Sequence, residues 1–286
     1  MTKKKIAKPA LFLTAMIWGS TFAVAKLATE AFSASFINAF RFTTAAVVLM
    51  IAAYPLRKMI DKTYMVYGFL MGVTLFGGYI MQTIGLTMDT SPGKSAFLST
   101  TYCVVVPFLY WIVTKETPRL LHIFCILLCV TGVGVLSLQG SMGMSGGDLM
   151  TVASGIPTAA NIVVSSVACK DRHPLLLTLI ELWTVAVLAW IMVLATGSFP
   201  EAFPIGAVGG IIYLGVFATA LCLFLQSFGL KYAQASVGGM ILSLEAVFGV
   251  IFSIILYHEK VTGRMIIGFV IIFAAIILSQ REPKEK

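Results

Sequence analysis

Hydrophobic residues occur along the chain in long continuous runs, and each run ends at a cluster of glycine, proline or charged residues. A helix needs about 20 apolar residues to cross a bilayer, whereas the strands of a membrane barrel alternate polar and apolar positions. The pattern therefore predicts an all-α integral membrane protein with ten transmembrane helices. The ten spans are expected near residues 10–28, 33–54, 64–88, 92–113, 120–138, 148–169, 174–195, 205–230, 235–257 and 264–280.

The composition excludes a water-soluble globule. Of the 286 residues, 59% are hydrophobic and 11% are charged, whereas soluble domains carry about 25% charged residues. So few charged side chains cannot cover the surface of a folded chain of this size, so lipid must cover it. Ten crossings also use most of the residues, which leaves no room for a soluble domain.

The distribution of positive charge predicts the orientation. Most of the 20 Lys and Arg residues fall in segments on the same side as the N-terminus. The loops on the other side hold Lys260 and Arg264, with Lys94 near that edge. An excess of Lys and Arg marks the cytoplasmic side, so both termini are expected in the cytoplasm and the chain in the cytoplasmic, or inner, membrane. The net charge of +8 is spread over separate loops, which argues against nucleic acid as a partner.

The two halves of the chain resemble each other. Residues 82–86, which read QTIGL, match residues 226–230, which read QSFGL, and Ser99 then aligns with Ser243. These matches predict a duplicated unit of five helices.

The number of helices in the unit determines the orientation of the second repeat, because five is odd. The second repeat, expected over 141–286, must be inverted in the membrane relative to the first, over 1–140. Inverted repeats enclose a substrate site near the bilayer midplane and support alternating access. Gln82 and Gln226 occupy matched places, so they are expected on opposite halves of one shared passage.

Short motifs occur in order along the whole chain. They are WGSTF at 18–22 with Lys26, Arg41-Phe42, the two QxxGL segments, Leu244-Glu245 and His258-Glu259. With the five-plus-five repeat and the charge bias, they resemble EamA-type members of the drug/metabolite transporter superfamily. The resemblance implies a ten-helix inner-membrane carrier that moves amino acids or other small metabolites, commonly outward, by alternating access.

Charged side chains inside the membrane are the first candidates for function. Each costs about 2.5–3.5 kcal/mol near the bilayer centre, so it persists where it faces water, a partner or a ligand. Glu245 lies near the middle of span nine. It is a candidate for proton coupling or for binding a cationic group, and the alternative is a buried acceptor paired with a neighbouring helix.

Two other spans carry a charge at corresponding positions. Arg41 in span two suits a substrate carboxylate or phosphate, or it could be a permanent structural partner. Glu181 is its counterpart in span seven, and it could line the cavity or reach toward Lys170 and Arg172 at the cytoplasmic edge.

Span one adds a cation and an aromatic ring on a shared stripe. Lys26 and Trp18 are candidates for contact with substrate, while Lys26 could instead extend its amine to the interface. Tyr79 and Tyr102 are candidates for stacking walls with a hydrogen-bonding tip.

Span six carries no charge but has a polar stripe. Ser154, Thr158, Asn161 and Ser165 recur at helical spacing, and such a stripe is expected to line a cavity or to bond another helix rather than face lipid. Asn161 is the member best suited to orient a substrate.

Two pairs of small residues are expected at close helix contacts. Gly68 with Gly72 and Gly206 with Gly210 are separated by one helical turn. Small residues at this spacing let two helix backbones approach.

Other functional classes find less support in the sequence. A lipid-modifying membrane enzyme would need a nucleophile with a base, or a metal cluster, and a passive channel remains an alternative to a carrier. The histidines are scattered and the cysteines lie in or at the edges of spans, so no enzyme activity, metal or cofactor is expected. The expected partners are a small-molecule substrate and the lipid bilayer, and the chain is expected as a monomer or a homodimer. The residues concerned are His122, His173, His258, Cys103, Cys125, Cys129, Cys169 and Cys222.

Overall fold

The computed structural model describes residues 2–88, 90–115, 120–137, 144–232, 238 and 241–279. All regular elements among these residues are helical. A 3₁₀ turn over Tyr54–Met59 follows α2, and a π-helical segment over Leu214–Leu221 joins α9 to α10. The α-helices are α1 (Thr2–Thr29), α2 (Ala34–Ala53), α3 (Lys62–Thr87), α4 (Pro92–Ser99), α5 (Tyr102–Thr114), α6 (Leu120–Ser137), α7 (Gly146–Ala168), α8 (Pro174–Thr196), α9 (Ile205–Tyr213), α10 (Cys222–Tyr232), α11 (Glu245–Tyr257) and α12 (Gly263–Ser279).

The all-helical membrane class predicted from the sequence is confirmed. Within the described residues, 7 helices are long and apolar enough to cross a membrane. Three shorter apolar helices lie over Ile123–Val135, Glu245–Tyr257 and Gly263–Ala275. The helix bounds agree with the predicted spans to within a few residues where both ends are described, except that α1 begins well before residue 10, and the predicted start of span nine lies outside the described residues. The expected boundary between repeats at 140/141 lies outside the described residues.

Two of the predicted spans are broken rather than continuous. Span four is divided into α4 and α5 at Thr100 and Thr101, and span nine is interrupted at Ser243 and Leu244, just before α11. At the first break, the hydroxyls of Thr100 and Thr101 each donate to a carbonyl three residues earlier in the chain, at 2.8 Å. Such bonds compete with the regular helical pattern, which gives a reason for the interruption.

Helices of the first half pack against helices of the second half, and equivalent helices of the two halves make equivalent contacts. Helix α3 packs along α7, and the corresponding pair α1 and α10 also pack together. Helix α1 lies against α11, as α7 lies against α4 and α5. The pairs α2–α8 and α6–α12 each join a helix to its own counterpart. A duplicated chain with a two-fold relation between its halves gives this arrangement.

One of the two predicted glycine pairs makes a close helix contact. A Cβ atom on Gly68 would lie 2.6 Å from Ile180 Cβ, and one on Gly72 would lie 2.4 Å from Thr184 Cβ, so α3 and α8 touch there. The prediction was wrong for the second pair. A Cβ on Gly206 would meet nothing within 4 Å, and one on Gly210 would meet only Val24, at 3.4 Å, because α9 approaches no neighbour at these positions.

Candidate functional site

A narrow cavity lies inside the helix bundle, beside the breaks in spans four and nine. Residues from both halves of the chain line it. The space it leaves for solvent is about 50 Å³, enough for a few water molecules. The interrupted ends of α5 and α11 contribute Tyr102 and Glu245 to its wall. The described wall residues are Trp18, Thr21, Phe22, Leu75, Gly78, Tyr79, Gln82, Ser99, Tyr102, Thr158, Asn161, Ile162, Gln226 and Glu245.

The carboxyl group of Glu245 is the acidic group of this wall. It is the first residue of α11, its side chain is buried, and its Oε1 accepts a hydrogen bond from the Tyr102 hydroxyl at 3.1 Å. A helix N-terminus favours a negative charge because its first backbone N–H groups point toward it. The break before α11 therefore places the carboxyl group at the cavity and at the N-terminal end of a helix.

Glu181 pairs with Asn161 and, among the described residues, forms no ion pair with Lys170 or Arg172. Its Oε1 accepts from Asn161 Nδ2 at 2.7 Å, and Asn161 Nδ2 also donates to the Met71 carbonyl at 3.0 Å. Arg172 lies over the Tyr67 ring, 4.4 Å from its centroid. Glu181 thus forms a hydrogen bond with the wall residue Asn161, but Glu181 itself is not among the described wall residues.

Arg41 is buried beside the cavity without forming part of its wall. Its Nε donates to Thr219 Oγ1 at 2.5 Å, and its guanidinium carbon lies 4.7 Å from the centroid of the Tyr79 ring. Thr219 belongs to the π-helical segment, and its hydroxyl donates to the Leu214 carbonyl at 2.7 Å. One terminal nitrogen of Arg41, Nη2, is buried without a hydrogen-bond partner among the described residues.

The two candidates on α1 have different positions. Trp18 lines the cavity, and its indole N–H donates to the Ala218 carbonyl of the π-helical segment at 2.8 Å. Lys26 lies away from the cavity, where its Nζ donates to the carbonyls of Leu86 at 2.5 Å and Met88 at 3.2 Å. Its amine therefore joins the end of α1 to the end of α3.

Only part of the polar stripe of α7 lines the cavity, and the rest is buried elsewhere in the bundle. Thr158 and Asn161 line the cavity. Ser154 and Ser165 are buried outside the wall, and the Ser154 hydroxyl donates to the Thr151 carbonyl of its own helix. Of the sequence candidates, the wall thus brings together Trp18, Tyr79, Gln82, Tyr102, Thr158, Asn161, Gln226 and Glu245, but not Lys26, Arg41, Ser154 or Glu181.

Several wall residues were missed by the sequence analysis. Thr21 and Phe22 belong to the WGSTF motif, and Ser99 belongs to the repeated segment. Membership of those two motifs was the signal that could have identified them. The wall residues Leu75 and Ile162 carry no such signal, because aliphatic residues are equally common at positions that face lipid or the protein core.

A polar network at one end of the bundle was also missed. Asp148 accepts from Lys94 and from the Thr90 hydroxyl, at 2.5 and 3.0 Å. Glu259 accepts from the hydroxyls of Ser91 and Ser253 and, at 2.8 Å, from the Gly93 backbone N–H. These contacts join the start of α4 to α7 and to the end of α11.

Comparison with known proteins decides the family. The model of the EamA-like transporter family matches residues 6–138 and again residues 145–280. The chain belongs to the EamA-like transporter family. EamA-like proteins are transporters, which implies that this chain is not an enzyme, and the double match indicates a duplicated repeat.

Individual EamA-like relatives support the assignment over nearly the whole chain. An uncharacterized transporter of Archaeoglobus fulgidus is 31% identical over 281 residues, covering 98% of this chain and 87% of the relative. The uncharacterized transporter YyaM of Bacillus subtilis is 26% identical and covers 93% and 92%, respectively. A solved crystal structure superposes with a TM-score of 0.68 at 18% identity over 96% of both chains, which shows the fold.

Proposed function

We propose that this EamA-like protein is a secondary transporter that exports amino acids or related small metabolites across the cytoplasmic membrane by alternating access. Glu245 is the proposed proton-coupling residue. The excess of Lys and Arg on the N-terminal side supports ten crossings with both termini in the cytoplasm.

The observation that carries this proposal is the meeting of two broken spans at Glu245. Interrupted helices inside a membrane are tolerated where they line a cavity or are buried in protein, and transporters use them to build substrate sites near the midplane. Here the interruptions before α5 and α11 bring the Tyr102 hydroxyl to the Glu245 carboxyl group. A carboxyl group so placed can bind either a proton or a cationic group of a substrate.

The helix pairing supports an inverted relation between the two halves. The contacts of α1 with α10 and α11 are equivalent to those of α7 with α3 and α5. If each half contains five crossings, the second half has the opposite orientation. Exchanging the shapes of the two halves then converts a state open to one side into a state open to the other.

The polar network at the helix ends supports a closed state on the side opposite the N-terminus. Lys94 and Asp148 join α4 to α7 there, and Glu259 joins the end of α11 to α4. The cavity, with about 50 Å³ for solvent, is much smaller than typical ligand sites of about 300–1,000 Å³. Substrate entry therefore requires helices to separate, and opening of this side requires these polar contacts to break.

Transport by purified protein in sealed liposomes tests the proposal. Labelled amino acids and their amine derivatives should accumulate in response to a pH gradient, saturate with concentration and show counterflow. Glu245→Gln should abolish the response to the pH gradient, while Glu201→Gln, in an exposed loop, should leave it unchanged. Flux that neither saturates nor shows counterflow would instead indicate a passive channel.

A further inference from the structure

We infer that the cavity selects a small solute with an ammonium group on an aromatic or apolar body, and that it disfavours the same solute when a free carboxylate is added. This inference rests on the proposed function and narrows its substrate class, from amino acids and related metabolites to the related amines that lack a free carboxylate. It follows from which hydrogen-bonding groups of the wall are already used by the protein, from the sign of the wall charge and from its aromatic rings.

Four of the five hydroxyl groups in the described wall, all except that of Tyr79, donate to other groups of the protein. Thr21 donates to the Trp18 carbonyl at 2.7 Å, Ser99 to the Ala96 carbonyl at 3.2 Å, and Thr158 to the Ser154 carbonyl at 2.8 Å. The Tyr102 hydroxyl donates to Glu245 at 3.1 Å. These hydroxyls keep lone pairs that can accept, so they offer the cavity acceptors more readily than donors.

Two of the N–H donor groups of the wall are used as well. Trp18 Nε1 donates to the Ala218 carbonyl, and Asn161 Nδ2 donates to Met71 and to Glu181. By contrast, Gln226 Oε1 is buried and has no hydrogen-bond partner among the described residues. The wall therefore presents an unsatisfied acceptor, and a ligand that donates hydrogen bonds would satisfy it.

The charge of the wall favours the same ligand. Glu245 supplies a carboxyl group, and no Lys, Arg or His is present among the described wall residues. An ammonium group is attracted by this carboxylate, whereas a ligand carboxylate is repelled and would find mainly neutral donors, the amides of Gln82 and Gln226 and the hydroxyl of Tyr79.

Aromatic rings complete the match to an amine with an apolar body. Trp18, Phe22, Tyr79 and Tyr102 all line the cavity. The faces of such rings attract cations, and the rings also bury apolar surface.

Among the described residues near the cavity, Arg41 is the cation that could reverse this preference. It lies behind the wall, held by Thr219 and by the Tyr79 ring, with Nη2 unpartnered. A zwitterionic solute would need Arg41 to enter the cavity and bind its carboxylate. The experiment must therefore compare variants of Glu245 and Arg41.

The test is thermal unfolding of the purified full-length protein in detergent with four matched compounds: 2-phenylethylamine, phenylalaninamide, phenylalanine and 3-phenylpropionate. A ligand that binds the folded state raises the unfolding temperature with concentration. The two amines without a carboxylate should bind at least about tenfold more tightly than phenylalanine, a difference of about 1.4 kcal/mol. 3-Phenylpropionate should give no saturable shift.

Variants assign the effect to the cavity. Glu245→Gln and Glu245→Asp should each weaken amine binding, and the second keeps the charge if the first fails to fold. Glu201→Gln, in an exposed loop, should bind as the parent chain does. Arg41→Gln should retain the preference for amines.

Two outcomes overturn the inference. Tighter binding of phenylalanine than of the amines, lost in Arg41→Gln, would mean that Arg41 binds a substrate carboxylate. No saturable shift with either amine would reject the amine class. Neither outcome by itself rejects the transporter proposal, which fails only if no solute shows saturable flux. Transport assays in liposomes with other metabolites therefore tell the two failures apart.

Discussion

Lys94 and Asp148 form an ion pair with 2.5 Å between Nζ and Oδ2, although their side chains are only 8% and 0% exposed. The pair joins the N-terminal ends of α4 and α7, and therefore the first half of the chain to the second. Removing one partner from a buried pair leaves an uncompensated charge, whereas replacing both with apolar side chains is often neutral. Stability therefore depends on the two positions together.

We expect Lys94→Met and Asp148→Leu each to lower the free energy of unfolding by about 3–5 kcal/mol, because each leaves one charge buried alone. The double variant should recover most of this loss. Thermal unfolding of the purified protein in detergent measures all three, with Lys58→Met, at an exposed position, as the control. Additive losses in the double variant would contradict the ion-pair interpretation.

The close contact between α3 and α8 gives a second prediction. A methyl group on Gly72 would lie 2.4 Å from Thr184 Cβ and 2.9 Å from the Glu181 carbonyl oxygen. Gly72→Ala should therefore destabilise the protein by about 1–3 kcal/mol, as overpacking does.

The matched control for this change is Gly206→Ala. A Cβ there meets nothing within 4 Å, so the substitution should be neutral or slightly stabilising, because alanine favours a helix more than glycine does. Equal unfolding temperatures for the two variants would show that the contact at Gly72 has no energetic weight.

The bond from Asn161 to Glu181 predicts coupling between two positions. A hydrogen bond contributes about 0.5–1.5 kcal/mol, and more when one partner is charged, so Asn161→Ala and Glu181→Leu, which each remove the bond, should be non-additive by about 1 kcal/mol or more in a double-mutant cycle of unfolding free energies. Asn161→Ala combined with Thr196→Ala, where Thr196 bonds its own helix, should be additive. A coupling near zero for the first pair would mean that the 2.7 Å contact contributes no net stability.

The proposed orientation predicts which loops a membrane-impermeant reagent reaches. Lys58→Cys and Glu201→Cys place thiols at exposed positions between helices, and the proposed orientation puts these positions on opposite sides of the membrane. The five native cysteines are buried, so their background labelling should be low. In intact cells, an impermeant maleimide should label Glu201→Cys and not Lys58→Cys, and both should react after the membrane is opened. Labelling of Lys58→Cys alone in intact cells would reverse the proposed orientation.

Much of the fold follows from the sequence because lipid imposes a simple rule. Every backbone polar group inside the membrane must be bonded, so continuous apolar runs become helices, and most of their described limits agree with the structure to within a few residues, the start of α1 being the exception. The rule also singles out Glu245, since a charge within such a run needs a reason. The same rule misled at spans four and nine, where hydroxyl groups and a cavity permit the helix to be interrupted.

The sequence by itself determined the helical membrane class, the two similar halves and the candidate status of Glu245, since these depend on local hydrophobicity and on comparison of one segment with another. Only the tertiary structure decided that Glu181 bonds Asn161, that Arg41 lies behind Tyr79 rather than on the wall, and that Lys94 meets Asp148. Those contacts join residues from different helices. Their geometry depends on how the helices pack and where they break, which no local pattern of residues specifies.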